Sequence, residues 1–244
     1  MRQLVHDLRT ELAGPGGREW FLALGTLVLV VLWLYLGSPA FFVRTWGDAL
    51  RDDPRLDWYR FLYYHVNALV LLGAVPLAVM RFGFGVGPAS LGIRIGDARF
   101  GLRALALGVL LVTPIIYAGS FDPAFQREYP LTKLAGGSPG TWVLWELTYL
   151  LYYLGWEAYF RGTLLFGLRP CFGTPGALAF QTAISTLVHL GKPLGETLGA
   201  APAGFLFGAL ALRTGSVLWP LLLHWYLGAL MDVLAFRHAA GFLP

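Results

Sequence analysis

The chain is short of charge. Only 13% of its 244 residues are Asp, Glu, Lys or Arg, where a soluble domain carries about 25%. That shortage excludes a surface clothed everywhere in solvated charge. Lysine is scarcer still, with Lys133 and Lys192 the only two. The arginines lie between apolar blocks and are mixed with acids, as in "DALRDDPRLDWYR". A nucleic-acid face would gather basic side chains on one surface, so no nucleic-acid partner is expected. Cys171 is the single cysteine, which excludes an intramolecular disulfide and a cysteine metal cluster. Soluble domains, linkers and internal repeats are also missing.

What remains is apolar. Hydrophobic residues make up 57% of the chain, in blocks that approach or reach the ~20 helical residues needed to cross a bilayer. Seven spans are expected: Trp20–Leu36, Phe61–Met80, Leu102–Ala118, Thr141–Phe160, Gly176–Leu190, Leu198–Leu212 and Ser216–Phe236. A short helical continuation, Gly162–Leu168, follows the fourth and ends at "RPCFGTPG". The fold class is therefore all-α, a polytopic membrane bundle of about seven to eight helices. Residues 1–19 read as an N-terminal interfacial segment, and 20–244 as one transmembrane domain. Gly37–Arg60 reads as the longest loop, and the aromatic cluster "WYRFLYY" suits a membrane interface. The expected partner is the lipid bilayer, and the expected location is multi-pass, in the plasma (cytoplasmic) membrane.

Ionisable groups at membrane depth are costly and are functional suspects. The fourth span holds Glu146, Glu157 and Arg161. Glu157 and Arg161 are four apart and share a helix face. Glu146 lies eleven residues earlier, which at about 100° per residue is nearly the same face, about 16 Å away. Tyr149 and Tyr153 fall close to that stripe, so the helix has one polar seam that must face other helices or water. The fifth span ends in His189, with Ser185 one turn earlier. The seventh carries His224, then Gly228 and Asp232 at successive turns. Three helices thus bring Glu157, His189 and His224 to membrane depth. A carboxylate or imidazole can take a proton from water, and a second imidazole can donate to an oxyanion. Arg161 reads as a structural partner of Glu157, and Asp232 as a partner behind the site or an interfacial residue. His65 reads as an interfacial or packing residue.

Three ordered motifs resemble the CPBP family, the CAAX-processing and bacteriocin-processing intramembrane proteases. The first is "WEAYFRG", from Trp156 to Gly162; the second is "STLVH", ending in His189; the third is "HWYLG", beginning at His224. The runs "GFLFGALALRTGSVLWPLLLH" and "SLGIRIGDARFGLRALALG" are similar to the family as well, so the likeness covers about 90–235. The resemblance implies an intramembrane endopeptidase that hydrolyses a peptide bond of a membrane-associated protein or peptide. It implies water activated at Glu157 and His189, with His224 stabilising the oxyanion. Three positions depart from the pattern. Trp156 stands where the family has the first glutamate of a pair, Ser185 where it has Phe, and Gly228 where it has Asn or Asp implicated in oxyanion stabilisation. These departures leave a catalytically impaired relative, which binds or regulates membrane proteins, as the alternative. No cofactor is expected; zinc held by Glu157, His189 and His224, with water as the fourth ligand, is the variant arrangement.

Overall fold

The computed structural model describes Gln3 and residues 17–241. Most of the expected interfacial segment, residues 1–19, lies outside the described residues. Among the described residues there is no strand, and the chain is an all-α bundle. Helix α1 spans Gly17–Leu36. A short α2, Pro39–Trp46, follows. Helix α3 runs Leu56–Gly83 and contains two π-helical stretches, Ala68–Ala74 and Val79–Gly83. Helix α4 is Ala98–Gly119 and α5 is the short Pro123–Glu128. Helix α6, Pro139–Glu157, continues without a break as a π-helical stretch, Ala158–Phe166. Helices α7, α8 and α9 are Gly167–Leu187, Leu194–Thr214 and Leu218–Ala239.

Five of these helices (α1, α3, α4, α8 and α9) are long and apolar enough to cross a membrane by length and composition. Each overlaps an expected span, with ends that differ by a few residues. The fourth and fifth spans take another form. They are joined through the π-helical stretch and α7, with a sharp kink at Gly173, whose φ of 65° is left-handed. Only glycine adopts that conformation without strain, so the "RPCFGTPG" break bends a helix where an end is expected. The expected loop Gly37–Arg60 also holds structure. Ser38 caps α2 by accepting a hydrogen bond from the Phe41 backbone N–H at 3.1 Å, and Pro39 occupies the first helical turn, where its missing N–H costs nothing.

The π-helical half of α6 is the centre of the bundle. Every residue from Ala158 to Leu165 is buried. Helices α3, α7, α8 and α9 pack around α6. The contact with α3 is backbone to backbone: a Cβ on Gly155 would meet the Ala68 carbonyl and lie 2.8 Å from Leu69 Cα. Small residues allow this approach between membrane helices. Apolar side chains that soluble proteins would bury point outward instead. Leu102, Leu107, Leu110 and Ile115 of α4 are exposed, as are Phe21, Leu24 and Val28 of α1. Such a surface suits acyl chains.

Candidate active site

The polar seam expected on α6 is present and it is buried. Trp145, Glu146, Tyr149, Tyr153, Trp156 and Glu157 are all within the protein interior. Helix α9 runs antiparallel to it, and the pairs follow in order. At one end Trp145 Nε1 donates to Asp232 Oδ2 at 2.7 Å. In the middle the Tyr153 ring lies over Gly228, and its centroid is 4.7 Å from that of His224. At the other end Glu157 Oε1 is 2.7 Å from His224 Nδ1.

Glu157 has no exposed surface. The same Oε1 that meets His224 also accepts from Arg161 Nη1 at 2.9 Å. Arg161 is 2% exposed and its guanidinium sits 5.4 Å above the Phe207 ring. A buried guanidinium needs such partners, because an unpaired charge at this depth costs several kcal/mol. The carboxylate is therefore clamped between α6 and α9, one layer behind the imidazole. His224 is only partly buried, with 19% of its side chain open. Its Nδ1–H donates to the carboxylate, which leaves Nε2 as the lone-pair nitrogen.

His189 arrives from the turn after α7. Its Nδ1 is 2.6 Å from the Ser185 carbonyl oxygen. A carbonyl only accepts, so Nδ1 carries the proton and Nε2 is again the basic nitrogen. Thr197 at the start of α8 donates to the His189 carbonyl at 2.8 Å, which pins the turn. Ser185 contributes through its backbone; its hydroxyl donates to Thr182 O at 3.0 Å. Nearby, the Tyr129 hydroxyl donates to Glu196 Oε2 at 2.8 Å. Burial pushes the Tyr129 phenol well above its usual range, so it stays a donor.

Trp156 links the two imidazoles. Its ring is 2% exposed and meets His189 edge-on at 5.3 Å and His224 edge-on at 6.2 Å. It also stacks on Tyr152 at 5.6 Å and packs against Trp33 of α1. The structure thus brings Glu157, Arg161 and His224 into direct contact, and carries His189 to the same neighbourhood across Trp156. Asp232 is fully buried and stands two turns from His224, at the Trp145 end. His65 is fully buried too, stacked on Tyr149 at 5.0 Å and 15°, the packing role rather than the interfacial one. Among the described residues no group of three His, Cys, Asp or Glu side chains is placed to hold a metal ion. Glu157 stands behind His224, where a carboxylate orients an imidazole.

Sequence reasoning did not single out Tyr153, Phe207 or Trp145 as site residues. Tyr153 was visible on the α6 stripe, but its partner Gly228 offers no side chain to look for. No curated protein and no solved structure shows a significant match to the chain. Residues 138–230 match a protein-family profile described as Rce1-like, type II CAAX prenyl endopeptidase. Over that stretch the chain is similar to a family of endopeptidases, and its apolar helices suit a multi-pass integral membrane protein. The matched stretch takes in each motif position from Trp156 to Gly228, and it is consistent with a CPBP family intramembrane protease.

Proposed function

We propose that the chain is an intramembrane endopeptidase that hydrolyses a peptide bond of a membrane-associated protein or peptide, with His224 and His189 handling the protons. One observation carries this reading: the 2.7 Å contact between His224 Nδ1 and a fully buried Glu157 carboxylate. A carboxylate held against Nδ1 fixes the tautomer, leaves Nε2 free to take a proton and stabilises the imidazolium once the proton is taken. Glu157 acts here through His224 rather than on water directly. His224 takes the proton as water attacks the scissile carbonyl. His224 then gives that proton from Nε2 to the departing amine, and His189, whose Nε2 is the free nitrogen of its ring, accepts a hydrogen bond from the attacking water. Loss of a positioned base costs about 10²–10⁴-fold in rate, so these imidazoles should dominate activity.

The chemistry proposed needs no cofactor. Zinc would have to be held by the two imidazoles with other ligands, and Glu157 would serve behind them. The plasma (cytoplasmic) membrane is the proposed location.

Trp156 favours a second reading. Its indole fills the space beside both imidazoles with a group that cannot accept a proton. A relative that grips membrane peptides there without cutting them would look the same. The test is purified wild type, His224→Gln and Trp156→Glu in nanodiscs, each incubated with membrane-anchored peptides. Cleavage by wild type that His224→Gln lacks supports the endopeptidase. Binding without cleavage in wild type, with cleavage appearing in Trp156→Glu, supports the impaired relative. Sensitivity to chelators, reversed by added zinc, would overturn the metal-free chemistry.

A further inference from the structure

Gly228 and Tyr153 form a matched pair across α9 and α6. Gly228 lies one turn beyond His224, on the face of α9 that meets α6. Built onto Gly228, a Cβ would collide with the Tyr153 hydroxyl and lie 2.8 Å from the Tyr153 ring carbon that bears it. The phenol thus occupies the volume that any side chain at 228 would fill. It gets there from α6, one turn before Glu157, with its ring 4.7 Å from the His224 ring and only 4% of its surface exposed. Its hydroxyl is therefore delivered beside the imidazole from a rigid, packed side chain.

We propose that the Tyr153 hydroxyl is the oxyanion donor of this site, standing in space where residue 228 has no side chain of its own. The assignment rests on the hydrolase reading of the same site. Attack of water on the peptide carbonyl turns a planar oxygen into an anion, and a fixed O–H aimed at that position stabilises the tetrahedral species. A donor held rigidly before the reaction has no reorganisation to undergo during it. Tyr153 meets that condition: its ring is wedged among Tyr149 at 4.7 Å, Tyr152 at 5.5 Å and His224. Gly228 is required because the hydroxyl and a β-carbon cannot share the same space.

The test uses the full chain in nanodiscs and two non-cleavable probes of equal length, a leucyl-leucine phosphinate and its planar trans-alkene analogue. Wild type should prefer the tetrahedral anion. Tyr153→Phe, which keeps the ring, should lose about tenfold or more of that preference and leave the planar probe unchanged, as loss of one oxyanion donor implies. Gly228→Ala, which keeps the phenol but displaces it, should do the same. An unchanged preference in both variants overturns the assignment. So does equal weakening of both probes, which marks a packing role, and so does a wild type without preference. If wild type shows the preference and Tyr153→Phe loses it, but no peptide is cut, the hydrolase reading fails while the Tyr153 assignment stands.

Discussion

Nδ1 of His224 and Oε1 of Glu157 are 2.7 Å apart, and the same carboxylate oxygen holds Arg161 at 2.9 Å. One atom therefore ties α9 to α6 and sets the direction of an imidazole. This contact makes the charged pair of the α6 seam a part of the site as well as of the fold.

Removing one member of the Glu157–Arg161 pair should destabilise the protein strongly. Glu157→Ala leaves a guanidinium that is 2% exposed without its carboxylate. A loss of about 3–5 kcal/mol is expected. The double variant Glu157→Leu with Arg161→Met removes both charges and should recover most of the stability, yet remain inactive. Unfolding midpoints in detergent micelles, read beside a cleavage assay, check both halves.

Gly155 should tolerate nothing larger. A Cβ there would lie 2.8 Å from Leu69 Cα and collide with the Ala68 carbonyl, both of them backbone. Gly155→Ala should cost about 1–3 kcal/mol through overpacking. Because Trp156 and Glu157 follow directly, the same variant should also lower activity, measured as cleavage per folded molecule.

The stability of the α4 N-terminus should depend on pH. Asp97 accepts from the Phe100 backbone N–H at 3.0 Å and pairs with Arg213 at 3.2 Å. The Phe100 N–H first, and then Arg213, hold its carboxyl below the ordinary value of 3.8. A depressed carboxyl stabilises the fold above its unfolded value and loses that contribution as pH falls through the folded one. The midpoint difference between wild type and Asp97→Asn should be full at neutral pH and shrink below about pH 4. A constant difference across that window would contradict it.

Much of this was legible in the sequence. The five crossing-capable helices coincide with expected apolar blocks because block length alone carries that signal. The seam from Glu146 to Arg161 followed from helical spacing, and all its members are buried. The helix Pro39–Trp46 was missed although Ser38 and Pro39 are a start signal, because a short amphipathic stretch running into the charged segment Asp48–Arg55 reads as a loop. The π-helical continuation after Glu157 has no spacing signature of its own. Pairing between Tyr153 and Gly228 is a tertiary fact: it joins residues 75 positions apart, and one of them has no side chain.

The most direct measurement is peptide-bond cleavage by His224→Gln beside wild type, in nanodiscs, with both shown to be folded. The account predicts that kcat falls about 10²–10⁴-fold with KM little changed. Equal cleavage by both proteins would contradict it.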